Sequence, residues 1–348
     1  MFQFFLKSTK KQTKASKCNR IIIFARKYLG DNIFSSPAFF YPTLANPSVK
    51  LIIITYNNAP KYIYANQIAD NIECFIEYQG FFKTLFTLRK MGKVDAVFNL
   101  SKSSFKRWLL ARLCKTNKSY DLFIEASRQK AKVEDKTVYK YVYKQNAFLY
   151  FSQSINKILN TNFTHKDICF KVGKYNAASN RYVIICSGAS GAYKMWNPKK
   201  FNELAIAISK LGYDVYLVSG ATEEDQKAAK QIFANKYFDG DTSFDLLFTI
   251  FAGASLVVAN DSGFMHLASM LKVPTLCIFA HNTPDVYGYP FMDNFYSIFS
   301  SLKCHPCSHA RAQKLCPFVT KSSQLKCIQD IEVSHVLSKV VDIVKTYS

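Results

Sequence analysis

The sequence predicts an α/β protein made of two similar halves. Short apolar runs rich in Ile and Val, such as "RIIIFA" (Arg20–Ala25) and "VKLIIIT" (Val49–Thr55), alternate with longer amphipathic stretches. That is the pattern of parallel strands buried on both faces with helices between them. The alternation lapses near residue 165 and restarts at "RYVIICS" (Arg181–Ser187). The strand-to-helix handovers are rich in Gly, Ser and Asp, and ligands of open α/β sheets bind at those edges. Two halves joined near residue 165, with a cleft between them, follow from these observations.

Taken in order, the first strand leads through "RKYLGDNIFSSPAFF" into a Gly turn and a helix. Further strands are expected at "VDAVFNL" (Val94–Leu100) and "YDLFIE" (Tyr120–Glu125), with helices at "GFFKTLFTLRKMG" and "SFKRWLLARLC". Residues 138 to 160 read as helical and "NTNFTHKD" as a linker. In the second half, "NPKKFNELAIAISKLG" is a helix with Pro198 in its first turn and Gly212 after its end. "YDVYLVSG" is a strand, "TEEDQKAAKQIFANK" a helix, "SFDLLFTIFAGA" a helix and "SLVVAN" a strand. A helix from about Ser262 to Lys272 precedes the strand "PTLCIFA", and "IQDIEVSHVLSKVVDIVKTY" closes the chain as an amphipathic helix.

Half of the 348 residues are hydrophobic, so a core can form and global disorder is excluded. The formal charge is 46 − 24 = +22, which suits an anionic substrate, a membrane surface or nucleic acid. No run approaches the ~18 apolar residues that span a bilayer. The N-terminal "MFQFFLKSTKKQTKASKCNR" lacks the apolar length and cleavage site of a signal peptide, and reads as a frayed tail or a weak interfacial anchor. A cytoplasmic chain with its ten cysteines mostly reduced is expected.

Three stretches carry candidate chemistry. "ANDSGFMHLASMLKVPTLCIFA" delivers Asp261 to a sheet edge, where the N–H groups and dipole of the next helix favour an anion. Gly263 permits close backbone approach there, and His266 lies one turn in. Asn260 or Asp261 could equally be a helix cap. "CSGASGAYKMWNP" offers hydroxyls and backbone N–H groups, then Lys194 as a point charge for phosphate. It is no Walker A loop, because the Gly-Lys-Ser/Thr order is missing. "RKYLGDNIFSSP" sets Asp31 after Gly30, facing the cleft from the other half as a general base or a helix cap.

Together these stretches resemble glycosyltransferase family 9, the lipopolysaccharide heptosyltransferases. The resemblance is strongest in "GASGAYKMWNPKKFNELAIAI", "LVSGATEED" and "ANDSGFMHLASMLKVPTLCIFA", and clear in "LGDNIFSSPAF"; residues 56 to 160 match poorly. It implies a GT-B fold, two Rossmann-like doubly wound domains facing a central cleft. Residues 1–165 would bind the acceptor and 166–327 the nucleotide sugar, with 328–348 a helix crossing back to the first domain. It implies inverting transfer from ADP-heptose to a lipid A–Kdo core acceptor, with no catalytic cofactor, at the cytoplasmic face of the inner membrane. Asp31 would be the base. Ser187, Ser190 and Lys194 would contact the donor diphosphate or sugar, and Glu223, or Glu224, the ribose. Asp261 would bind heptose hydroxyls, and Ser262, Gly263 and His266 would complete the pocket. The family usually carries a basic residue six before the base, where this chain has Ala25; Arg26 and Lys27 are the nearest substitutes.

The tail "CHPCSHARAQKLCPFVTKSSQLKC" spaces Cys304, Cys307, Cys316 and Cys327 as C-x2-C-x8-C-x10-C. That spacing suits a structural zinc or a set of packed thiols, and no zinc ribbon. A nucleic-acid-binding module is disfavoured, because no RNP-like or helix-turn-helix signature accompanies the charge. A sugar-nucleotide epimerase of the same fold, or another glycosyltransferase, is the alternative enzyme.

Overall fold

A computed structural model of the chain describes residues 18–100, 105–116, 118–123, 126–133, 136–143, 145–173, 181–220, 222–302, 304–306, 316 and 325–347, with 126–133, 136–143 and 224 described as backbone. The N-terminal segment to residue 17 and Cys307 lie outside the described residues, as does the Glu224 side chain.

Strands β1 (Arg20–Phe24), β2 (Lys50–Thr55), β3 (Ile72–Glu77), β4 (Ala96–Asn99) and β5 (Ser119–Asp121) form one parallel sheet, ordered β3-β2-β1-β4-β5. Helices α1 (Leu29–Phe34), α2 (Pro37–Ala45), α3 (Ala59–Tyr64), α4 (Phe81–Lys90) and α5 (Phe105–Leu113) connect them. An antiparallel hairpin of β6 (Ala126–Val133) and β7 (Lys136–Tyr143) follows, then α6 (Ala147–Leu159). The second sheet holds β8 (Tyr182–Cys186), β9 (Asp214–Val218), β10 (Lys236–Phe238), β11 (Leu256–Asn260), β12 (Thr275–Ile278) and β13 (Phe295–Ile298), all parallel, ordered β10-β9-β8-β11-β12-β13. Its helices are α7 (Pro198–Lys210), α8 (Glu223–Ala229), α9 (Phe244–Ala252), α10 (Gly263–Met270) and α11 (Pro284–Tyr287), and the chain closes with α12 (Lys326–Gln329) and α13 (Val333–Thr346). Strand order reverses beside β1 and beside β8. Those reversals are where doubly wound sheets bind ligands.

Period-two alternation divides the core into three layers. Ile22 and Phe24 of β1 face an outer cluster under α4 and α5. Val183 and Ile185 of β8 face the other outer cluster. Ile21, Ile23, Tyr182, Ile184 and Cys186 all enter one central cluster that runs between the sheets. The two halves thus share apolar surface rather than meeting only at a linker. Among the described residues no helix is long and apolar enough to cross a membrane.

Several expectations change. Residues 138–143 belong to β7, and the helix begins only after Asn146, whose side chain accepts from the backbone N–H groups of Phe148 and Leu149. "KTVYKYVY" alternates at period two, the strand signal. Gly30 sits inside α1 rather than in a turn before it. The closing helix, expected to cross back to the first half, buries Val336, Val340, Ile343 and Val344 in the outer core of the second half, against α7 and β11. Lys200 fixes its start by donating to Gln329 O and Ile331 O, each at 2.9 Å.

Candidate active site

Asp31 lies in the first turn of α1, partly exposed. Its Oδ2 is 3.2 Å from Arg26 Nε. Arg26 is held from three sides. Its Nη1 donates to Leu100 O at 3.1 Å, and its guanidinium lies 5.1 Å from the Phe34 ring centroid. Its backbone is clamped by buried Asn32, which accepts from Arg26 N-H and donates to Arg26 O. Of the two cations after Ala25, Arg26 is the one that contacts Asp31; exposed Lys27 lies over Tyr28.

In the second half, β8 and β11 end side by side. Asn260 ties them together: its Nδ2 donates to Ser187 O at 2.7 Å, and its Oδ1 accepts from Trp196 N-H at 3.1 Å. This fixes the loop that carries Lys194. Lys194 Nζ then reaches Asp261 Oδ2 at 2.9 Å, and Asn282 Nδ2 donates to the same oxygen at 2.5 Å. Burial opposes the charge on Asp261, but Lys194 and Asn282 outweigh it and hold the carboxyl down to about 2. Burial likewise opposes the charge on Lys194, and Asp261 and Asp31 more than offset it, so its ammonium is held above its usual range. The lysine expected as a free point charge for phosphate is thus already paired with Asp261. Beside the pair, the hydroxyls of Ser187 and Ser262 are buried without a partner, and Ser262 caps α10 by position but not by a side-chain hydrogen bond. Buried hydroxyls left unpaired are rare, and a ligand oxygen would satisfy them.

The halves meet where α1 crosses α10. A Cβ on Gly30 would lie 2.6 Å from His266 Cδ2 and 3.3 Å from Gly263 Cα, and a Cβ on Gly263 would lie 2.8 Å from the Leu29 side chain. The two glycines therefore serve the contact between the helices, where Gly263 was expected to make room for a ligand. His266 is buried, bonded through Nδ1 to the Tyr289 hydroxyl at 2.9 Å and edge-on to Phe34. Burial pushes its imidazole down to about 4 against the pull of Asp261 and Asp31, so it is neutral at pH 7 and donates from one nitrogen only.

Asp31, Ser187, Lys194, Asp261, Ser262, Gly263 and His266 thus gather around one junction. Ser190 and Glu223 are exposed. Sequence reading missed Asn282 and Tyr289 and offered Asn260 only as a helix cap, yet these three side chains set the geometry. It also missed Asp225, buried between the Gly188 and Gly220 loops and bonded to Thr222. Asn and Tyr carry no pattern that separates positioning from surface solvation, although Asn282 does follow a strand end as Asn260 precedes Asp261. Of the tail cysteines, Cys304 and Cys327 are buried and Cys316 is half-buried. Among the described residues no group of three or more His, Cys, Asp or Glu side chains is placed to hold a metal.

The sequence profile of glycosyltransferase family 9 (heptosyltransferase) matches residues 128–316. Lipooligosaccharide heptosyltransferase 2 of Campylobacter jejuni serotype O:2 is 26% identical over 342 residues, covering 94% of this chain and 98% of the relative. Lipopolysaccharide heptosyltransferase 2 of Escherichia coli K12 is 29% identical over 127 residues, 33% of this chain and 36% of the relative. Among solved structures, E. coli ADP-heptose lps heptosyltransferase II superposes with a TM-score of 0.67 at 17% identity, covering 94% of this chain and 99% of that one. E. coli heptosyltransferase WaaC with ADP-2-deoxy-2-fluoro heptose gives 0.64 at 15% identity, covering 93% and 99%. The architecture shared with them is the GT-B fold.

Proposed function

The chain belongs to glycosyltransferase family 9, and from that premise we propose that it transfers heptose, with inversion, from ADP-heptose to a Kdo or heptose of the inner core of lipopolysaccharide or lipooligosaccharide. One observation carries the proposal: at the α1–α10 junction the Asp31 carboxylate of one half lies near enough for its charge to act on Lys194 and His266 of the other, and Lys194 is paired with Asp261. Asp31 takes the proton of the acceptor hydroxyl as its oxygen attacks the anomeric carbon. The bond from that carbon to the diphosphate breaks on the opposite side, and ADP leaves with the added charge. The open N-terminus of α10, Lys194 and the hydroxyls of Ser187 and Ser262 stabilise that charge. Asp261, fixed by Lys194 and Asn282, accepts from sugar hydroxyls. Gly263 and neutral His266 close the pocket, with Ser190 at its rim and Glu223 at the ribose.

In this reading residues 1–165 bind the acceptor and 166–327 the donor, and the helix in 328–348 belongs with the donor half by its packing. Catalysis runs without a cofactor, and the tail cysteines serve the fold rather than the transfer. The enzyme works in the cytoplasm at the inner membrane, where a soluble donor meets a lipid-linked acceptor. The names of the relatives support the donor and acceptor classes. The test is incubation of the purified protein with ADP-heptose, with and without Kdo2-lipid A. Acceptor-dependent ADP release and a product one heptose heavier are expected. Conversion of ADP-heptose to a stereoisomer without acceptor would instead make the protein an epimerase.

A further inference from the structure

The outer face of α4 and α5 is aromatic where a soluble surface would be polar. Phe82 is 82% exposed, Phe105 72%, Phe86 62% and Trp108 40%. They are not scattered. Phe82 and Phe86 are one turn apart on α4, Phe105 and Trp108 one turn apart on α5, and the two helices pack side by side over the same core cluster. Phe105 and Trp108 stack with ring centroids 5.6 Å apart, and Lys90 Nζ lies 4.4 Å from the Phe86 ring. Exposed aromatic rings concentrated on two neighbouring helices mark a docking surface.

The charge around the patch says what docks. From Tyr78 to Asp121 the sequence has ten Lys or Arg and two acids: Asp95, which accepts from Asn19 N-H and Arg20 N-H, and Asp121, which pairs with Arg112 and accepts from Trp108 Nε1, leaving a large cationic excess. Aromatic rings flanked by long cationic side chains suit the boundary between acyl chains and anionic headgroups: rings enter the apolar edge while lysines reach back to phosphate. The placement fits as well. Each helix follows a strand of a parallel sheet, so α4 and α5 both start at the carboxyl edge, the edge that carries Asp31. Arg26, paired with Asp31, donates to Leu100 O at the end of the strand before α5.

We propose that Phe82, Phe86, Phe105 and Trp108, with the cations around them, seat the first half on an anionic lipid bilayer with the Asp31 edge towards the headgroups. This deepens the proposed reading of a lipid-linked acceptor, but it is tested with neither donor nor acceptor present, so either can fail alone. The chain has two tryptophans, Trp108 and fully buried Trp196, so the patch carries its own probe. Extruded vesicles of phosphatidylethanolamine with phosphatidylglycerol should bind the full chain and shift its emission to the blue, and brominated acyl chains should quench it. Trp108→Phe should abolish the shift. Phe82→Ser with Phe86→Ser, and separately Lys83→Glu with Lys90→Glu, should each weaken partitioning roughly tenfold or more. Lys210→Glu with Lys345→Glu, the same charge change on exposed positions of the second half, should change it less than about twofold. Circular dichroism confirms that each variant is folded. Equal loss in the second-half control, or equal binding to pure phosphatidylcholine, would overturn the proposal. So would Trp108 emission that is already blue without lipid and varies with protein concentration, which would make the face a contact between copies.

Discussion

Asp31 and His266 sit on the two sides of one junction, and the structure separates what each does. Asp31 is in contact with Arg26 and partly exposed, and it acts on buried Lys194 and His266 through its charge. Asp31→Asn keeps the shape while removing the basicity. A base acts only as the transition state forms. Turnover should therefore fall by about 10²–10⁴-fold with ADP affinity unchanged by calorimetry. Near wild-type turnover with both substrates saturating would move the base elsewhere. His266 is the opposite case, a buried group whose folded form resists protonation. Its imidazole lies at about 4 against an ordinary 6.5. The unfolded chain therefore binds the extra proton first as pH falls. The stability from neutral His266 is fully present above 6.5 and is lost as pH drops from 6.5 to 4, by about 3 kcal/mol. Urea unfolding of wild type and His266→Gln across that window tests it: the variant's stability should be flatter by that amount. Parallel pH curves would place His266 in a solvated site.

At the scale of elements, the two strands at each sheet centre were legible because fully buried parallel strands are written as unbroken apolar runs: "RIIIF" and "KLIII" in one sheet, "YVIIC" and "LVVAN" in the other. The edge strands β3, β10 and β13 were not, since "IECFIE" and "KYF" are short or half-exposed and resemble loop sequence. The same division holds at the site. Asp31, Lys194 and Asp261 could be read because each lies in a Gly- and Ser-rich stretch where a strand hands over to a helix. The reach of Lys194 to Asp261, across 67 residues of sequence, could not, because pairing depends on how strand ends align. Gly30 marks the limit most clearly. Sequence gives a flexible position before an acid, while the structure gives contact with another helix. A methyl there meets the His266 ring at 2.6 Å and the Gly263 backbone at 3.3 Å, and the ring is pinned by Tyr289. Gly30→Ala should cost about 1–3 kcal/mol by overpacking and lower turnover by widening the junction. Gly212→Ala, at φ +84° after α7 and with open space around it, is the matched control: comparable strain, far from the junction, with turnover retained. Equal turnover in both variants would detach catalysis from the α1–α10 contact.

Over the whole molecule, one chain must hold two sheets in fixed relation while leaving their carboxyl edges open to substrate. The central cluster supplies the non-directional part. The direction comes from polar ties at the rim. Asn66 Nδ2 donates to both oxygens of Asp245 at 2.9 Å, and Gln67 Nε2 donates to Lys171 O at 2.9 Å. Asn146 does two jobs. Its Oδ1 caps α6, and its Nδ2 donates to Asp285 O at 3.2 Å and Gly288 O at 2.9 Å in the second half. Asn146→Ser separates them, since serine caps a helix as well as asparagine but is too short to reach both carbonyls. The two lost bonds leave the buried Gly288 carbonyl and the part-buried Asp285 carbonyl short of a donor, at about 1–3 kcal/mol, and the loss falls on the coupling between halves rather than on either half alone. In a Trp108→Phe background the remaining Trp196 fluorescence reads the second half, while far-UV circular dichroism reads the whole chain. Without the serine substitution the two melting curves should superpose, as one cooperative unit requires. With Asn146→Ser the curves should part, the fluorescence transition no longer tracking the loss of helix. Superposed curves in the variant would mean that the central cluster alone joins the halves, and the tie at Asn146 would then be only a helix cap.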